Sequence, residues 1–122
     1  METKKIYNNL IQSLKLIASP HHIQISCFPD YVNVTDEIAL IYNESYIMLP
    51  QISSIMSPHI VKLLDELDEL FEEMSRDKAL WNINNLERNF YWTKSRDLGS
   101  RILVELKEKY TKPNLDFIQW VK

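Results

Sequence analysis

Glycine is nearly missing: Gly99 is the only one in 122 residues. Tight hairpins draw on glycine or asparagine for positive φ, and β-rich folds use many such turns. A chain this poor in glycine leans towards helices joined by longer loops. It also lacks the glycine-rich loops that cradle phosphates, which argues against nucleotide-dependent chemistry.

Cysteine is as scarce. Cys27 stands alone between Ser26 and Phe28, so no intrachain disulfide can form. Its apolar neighbour suits a small buried hydrophobe better than a nucleophile. Histidine appears three times, as His21, His22 and His59. Two adjacent histidines cannot both aim at one ion from a regular element. No Glu-x-x-His or His-Glu-x-x-His spacing occurs. No metal and no cofactor are expected. No serine sits in a Gly-x-Ser-x-Gly elbow, and no catalytic residue can be nominated.

No apolar run approaches the roughly 20 residues that span a bilayer. The opening Met1-Glu2-Thr3-Lys4-Lys5 lacks the apolar stretch and cleavage site of a signal peptide. The expectation is a cytoplasmic protein without a membrane partner. The net charge of −3 argues against nucleic acid, whose binding rests on cationic contacts to phosphate.

What is present is a soluble-type composition, 45% hydrophobic and 25% charged, without linkers or repeats. One domain over residues 1–122 is expected. The fold class predicted is mainly α, a compact bundle of four to five helices.

Ile6, Leu10, Leu14 and Ile17 recur at helical spacing, widened by Tyr7 and Ile11, and predict a helix from Lys4 to Ala18. Lys4, Lys5, Asn8, Gln12 and Lys15 fill its other side. Ser19-Pro20 reads as an N-cap followed by a first-turn proline. Two readings stay open for residues 23–34. Ile23, Ile25 and Cys27 alternate as a strand would, so that Pro29-Asp30 could turn a short β-hairpin onto Tyr31–Val34. A short helix ending before Pro29 fits equally well.

Thr35 or Asp36 caps a further helix to about Leu49, with Ile38, Ile41, Tyr42, Ser45 and Leu49 on one face. Ser57-Pro58 opens the clearest helix. Ile60, Leu63, Leu64, Leu67, Leu70, Phe71 and Met74 form a continuous seam along it to about Ser75. One or two short helical turns connect it to a last helix, from Thr93 to about Tyr110. Leu98, Ile102, Leu103, Leu106 and Tyr110 make the buried face of that helix. Gly99 sits inside it at about 1 kcal/mol against alanine, which points to a close neighbour such as Trp81 or Trp92. Phe117, Ile118, Trp120 and Val121 are expected to tuck the tail back.

One constellation points outward. Asp65, Glu66, Asp68, Glu69, Glu72 and Glu73 crowd nine positions of the seamed helix. Asp65, Glu69 and Glu72, with Asp68 and Glu73 beside them, are placed opposite the leucine seam. Lys62 and Arg76 balance them only in part. Such a face is either plainly solvated or a surface for a basic protein partner. Like charges at i,i+4 weaken a helix slightly, and strong negative potential steers cations. Phe90-Tyr91-Trp92 ahead of Thr93-Lys94-Ser95-Arg96 is read first as a hydrophobic staple and core. Interface hot spots and a stacking platform for nucleic-acid bases are the weaker readings.

Two stretches also resemble a known group. One is Ser19-Pro20 through Phe28-Pro29-Asp30-Tyr31-Val32 to Asp36-Glu37-Ile38-Ala39-Leu40. The other is Leu80-Trp81, then Trp92, then Ser95-Arg96-Asp97-Leu98-Gly99. They resemble small, uncharacterised bacterial proteins similar to immunity proteins of polymorphic and contact-dependent toxin systems. Asp36, Glu37, Trp92, Arg96 and Gly99 carry the likeness, and look as much like core and capping positions as binding ones. The resemblance implies a cytoplasmic, non-enzymatic binder that blocks a toxin domain by occluding its active site. The alternative expectation is a structural or regulatory helical scaffold acting as a homo-oligomer.

Overall fold

The computed structural model describes residues 2–118. Six α-helices appear among them: α1 (Thr3–Ala18), α2 (His21–Ser26), α3 (Val34–Tyr46), α4 (Pro58–Met74), α5 (Ile83–Leu86) and α6 (Phe90–Glu105). Short 3-10 turns at Leu49–Gln51, Ser53–Ile55 and Lys78–Leu80 join them. The four long helices form a ring. Helix α1 packs against α3 and α6, and α4 packs against the same two.

No strand forms among the described residues, so the hairpin reading of 23–34 gives way to the helical one. The reason lies in Gln24, which is fully buried. Its Nε2 donates to the carbonyls of Leu16 and Ile17, both at 3.1 Å. Where α1 ends, the Ile17 carbonyl has no backbone donor among the described residues, and that of Leu16 accepts only from Ser19 N, at 3.2 Å. A helical turn at residues 21–26 is what aims Gln24 back at them.

Four helices are capped by short polar side chains, as orphan amides require. Ser57 Oγ accepts from Ile60 N at 3.2 Å, at the predicted start of α4. Asn33, not Thr35 or Asp36, caps α3. Its Oδ1 accepts from Asp36 N at 3.2 Å and from the Thr35 hydroxyl at 2.7 Å. Asn82 caps α5 and Asn89 caps α6. Ser19 does not cap α2. It is buried, donates to Lys15 O at 2.7 Å, and shares a 2.7 Å hydrogen bond with the Tyr110 hydroxyl.

The seams predicted for α1 and α4 are the core: Ile6, Leu10, Leu14 and Ile17 from one, Ile60 through Met74 from the other. Lys15 departs from the reading. It is buried rather than on the wet side, and its Nζ donates to Thr111 Oγ1 at 2.8 Å. The segment after α6 lies along α1 and covers it. Gln12 Oε1 accepts from Asn114 N at 2.8 Å, and the Tyr7 hydroxyl donates to Glu108 at 2.9 Å. Burial and that carboxylate push the Tyr7 pKa up to about 12. Phe117 and Ile118 pack against the core, and Trp120 and Val121 lie outside the described residues.

Helix α3 stops at Tyr46, and buried Leu49 belongs to the following 3-10 turn. Helix α6 starts at Phe90 and stops at Glu105, earlier at both ends than its periodicity suggested. Tyr110 therefore falls beyond the helix and is exposed. The stop is a Schellman closure. Glu108 N donates to Leu103 O at 2.9 Å, and Lys107 N donates to Val104 O at 3.0 Å. Lys107 takes the left-handed conformation this needs, at φ 59°.

Gly99 lies elsewhere, in the middle of α6 against α1. A Cβ there would meet Ile17 Cγ2 at 3.0 Å and Ala18 N at 3.4 Å. The neighbour is thus the α1 backbone and a buried isoleucine, not the expected tryptophan ring.

Two substitutions separate these roles. Lys107→Gly should raise the melting temperature, since an L-residue in the left-handed region costs roughly 1–2 kcal/mol. Gly99→Ala should lower it, because overpacking of about 1–3 kcal/mol outweighs a helix-propensity gain of about 1 kcal/mol. In an Ile17→Ala background, which removes the obstructing methyl, Gly99→Ala should become neutral or stabilising. Thermal denaturation of the four proteins checks the cycle.

Candidate functional site

Helix α4 stands between α3 and α6, so its polar side is not one uniform face. The six α4 carboxylates divide into two flanks and an exposed crest. Asp65 and Asp68 are half-buried on the α3 flank. Glu66 and Glu73 line a groove towards α6, opposite Lys94, Asp97 and Arg101. Glu69 and Glu72 are exposed; Glu69 reaches the α6 groove, and Glu72 reaches the groove towards α3. The helical step dictates this division, because residues three and four apart share a side while the run of nine wraps beyond it.

The α3 flank is built on aromatics. Rings run from Tyr46 to Tyr42 (5.8 Å), Phe71 (5.8 Å), Trp92 (6.0 Å) and Trp81 (5.3 Å), crossing from α3 through α4 to α6 and the 3-10 turn. Each polar tip on this row is satisfied. The Tyr42 hydroxyl donates to Leu64 O at 2.7 Å. Trp92 Nε1 donates to Leu80 O at 2.8 Å, and Trp81 Nε1 to Met74 O at 2.9 Å. The Tyr46 hydroxyl donates to Asp65 Oδ1 at 2.6 Å. That hydrogen bond, then burial and the charges of Asp65, Asp68 and Glu69, push the Tyr46 pKa up.

Electrostatically the flank is uncompensated. Among the described residues the ion pairs are His21–Glu87, His59–Glu105 and Arg88–Glu87, and none involves the six α4 carboxylates. The Asp68 carboxyl is raised by burial first, and then by Glu72, Asp65 and Glu69. Lys62 and Arg76 are exposed and form none of these pairs.

The Phe90-Tyr91-Trp92 triplet is split by α6. Trp92 is core, as read. Tyr91 is half-buried, and its hydroxyl donates to Glu73 at 3.3 Å. Phe90 is 68% exposed, with Lys94 Nζ 5.9 Å from its ring centre.

Arg96, read as a core or capping position as much as a binding one, takes the capping role. Its Nη1 donates to Leu86 O at 2.7 Å and to Gln24 Oε1 at 3.3 Å, and its Nη2 to Glu87 O at 2.7 Å. Burial lowers its pKa, while Asp97 and Glu87 oppose that shift. It closes the end of α5 and joins it to α2 rather than facing a partner. Cys27 is half-buried, and burial raises its thiol pKa. Among the described residues no three His, Cys, Asp or Glu side chains are grouped to hold a metal, and no helix is long and apolar enough to cross a membrane.

The raised Asp68 pKa sets a sign. The folded protein holds that proton more tightly than the unfolded chain, so the contribution to stability falls as pH rises through the shifted value. Asp68→Asn should therefore raise the melting temperature at pH 7. The difference should shrink below about pH 4, where an aspartate loses its charge in either state. Denaturation series of both proteins between pH 3 and 8 check it; equal melting temperatures throughout would contradict the assignment.

Comparison with protein-family models, curated proteins and solved structures finds no match to this chain.

Proposed function

We propose that the chain is a binding protein of the immunity type, which neutralises a toxin domain by laying its acidic α4 across a basic substrate cleft. One observation carries the reading: six carboxylates on one helix, none ion-paired among the described residues. Like charges at i,i+4, such as Asp65 with Glu69 and Asp68 with Glu72, each cost a helix roughly 0.2–0.5 kcal/mol. A cationic surface would turn that repulsion into attraction. It would also raise the rate of encounter, since charged clefts steer partners together. The resemblance of the two stretches between Ser19 and Gly99 to immunity-like proteins supports the same reading, and adds a cytoplasmic setting in a bacterium.

Catalysis has no part in this mechanism. Occlusion asks only for a rigid surface of complementary charge. The α3–α4–α6 packing supplies the rigidity, and the aromatic row beneath α4 fixes its position.

The test is co-expression with the toxin domain encoded by the neighbouring gene. Cells should survive with the wild-type chain. A variant with Glu66, Glu69, Glu72 and Glu73 all changed to glutamine should associate at least about tenfold more slowly, with a flatter dependence on salt. A chain that neither binds the neighbouring toxin nor protects cells sinks the proposal.

A scaffold acting by self-association is the second reading. The exposure of Ile47, Ile55, Phe90 and Val104 favours it. It requires a concentration-dependent dimer in sedimentation, and a strict monomer at micromolar concentration rules it out.

A further inference from the structure

Beside the acidic flank lies a second kind of surface. Where α3 ends, the chain crosses to α4 through two 3-10 turns that leave a cleft of about 520 Å³. Its walls are the Tyr46 ring, Ile47, Leu49 and Pro50 on one side, and Val61 with Asp65 on the other. Ile47 is 63% exposed at its mouth, and Ile55, in the second turn, is 61% exposed. Ile47, Leu49, Pro50 and Val61 make the apolar lining continuous, and a contiguous apolar patch, unlike a lone exposed side chain, marks an interaction site.

Its charge selects the occupant. Asp65 Oδ1 accepts from the Tyr46 hydroxyl, which fixes the carboxylate at the rim. No described residue bonds Oδ2 or pairs with the carboxylate. Asp68 and Glu69 are near enough to act on the same Tyr46 hydroxyl, so the rim is negative beyond Asp65 alone. A neutral apolar ligand would strip water from these carboxylates without replacing it. A second copy of this chain would bring its own acidic α4 and a net charge of −3. A peptide segment with a bulky apolar side chain and an adjacent lysine or arginine satisfies both halves.

We propose that this cleft is the anchoring pocket for such a segment of the partner protein: its apolar side chain enters between Ile47, Pro50 and Val61, and its cation pairs with Asp65 Oδ2. The inference rests on the reading of the chain as a binder of a basic protein, and makes it specific. The acidic helix then steers the encounter, while the apolar cleft holds the complex, in the usual division between rim charges and buried anchors.

The probe is a 14-residue acetylated and amidated peptide of leucine and lysine at amphipathic helical spacing, titrated into the isotope-labelled full chain. Its leucine–glutamate counterpart is the control. Amide shifts should centre on residues 46–53 and on Val61 and Asp65. Ile47→Ser and Asp65→Asn should each weaken binding about tenfold, and Asp65→Asn should also flatten its salt dependence. Ile47 is largely exposed, and asparagine can still accept the Tyr46 hydrogen bond, so both variants should keep the fold. Asp30→Asn, an exposed carboxylate ahead of α3 and outside the cleft, should leave binding within about twofold.

No binding of the Leu/Lys peptide overturns the proposal, as does equal binding of the Leu/Glu peptide. Shifts confined to Glu66, Glu69 and Glu73 also overturn it, while leaving the acidic-helix reading intact. In the co-expression assay, full protection by Ile47→Ser and Asp65→Asn rejects the cleft alone. Failure of the wild-type chain to protect rejects the wider function, and the peptide titration then judges the cleft by itself.

Discussion

Every helix in this chain must be closed without glycine, and the fold follows from how that is done. A helix leaves its last carbonyls open, and a glycine in the left-handed conformation is the common remedy. The sole glycine here is spent on the approach of α6 to α1. Carbonyls at the ends of α1, α4 and α5 are met by side chains arriving from elsewhere in the chain, with Ser19 N also on Leu16 O and Asp77 N also on Met74 O. Gln24 reaches Leu16 and Ile17, Trp81 reaches Met74, and Arg96 reaches Leu86 and Glu87. Among the described residues a left-handed residue closes only α6, and it is Lys107 in the strained conformation. Closing a helix from a distance ties elements together, because a cap contributed by another helix exists only when both are in place. Arg96 shows the consequence best. Through Gln24 it joins the ends of α1 and α5 to the middle of α6, so loss of its guanidinium would leave the part-buried carbonyls of Leu86 and Glu87 without this donor.

The same coupling explains which parts were legible in the sequence. Helices α1 and α4 were legible because their apolar positions repeat over four turns and more, and no tertiary contact overrides so strong a periodicity. Ser57-Pro58 was legible because a cap and a first-turn proline act locally. Residues 21–26 were not, because six residues hold too little periodicity to separate a strand from a helix. The hydrogen bonds that decide the matter run from Gln24 to α1. Lys15 failed for the opposite reason. Its spacing puts it on the polar side of α1, but the segment after α6 covers that side and gives its ammonium a hydroxyl. The ends of α6 were misplaced because Asn89 and Lys107 determine them, and neither asparagine before aromatics nor lysine in a left-handed turn is a strong punctuation mark.

For the candidate surface, sequence supplied the residues but not their grouping. Six carboxylates in nine positions were evident, yet a helix wraps such a run around more than half its circumference. Only the placement of α3 and α6 on either side reveals that Asp65 and Asp68 belong with aromatic rings while Glu66 and Glu73 belong with Lys94 and Arg101. The cleft beside Asp65 could not be read at all. It arises where α3 stops at Tyr46 and two 3-10 turns fail to fill the space before Pro58. Its lining comes from three separate stretches of chain.

That grouping also ranks the carboxylates as binding groups. The Glu66 and Glu73 side already faces cations across the α6 groove, so a basic partner there must compete with charges the protein supplies itself. The clefts that Asp65 and Asp68 line hold no lysine or arginine, and Asp68 holds its proton more tightly, first by burial and then by the charges of Glu72, Asp65 and Glu69. The part of that preference that comes from neighbouring negative charge draws other cations as well. The Coulomb gain is also larger at a half-buried carboxylate than at a fully wet one, because the surrounding medium screens it less. Partial burial further limits which cations can arrive, since a lysine or arginine carried on an apolar neighbour keeps contact with the Ile47 and Val61 walls while a hydrated ion does not. Selectivity for a protein segment over a free ion thus comes from placing Asp65 beside exposed Ile47 and half-buried Val61, and that adjacency is a property of the α3–α4 junction rather than of helix α4 alone.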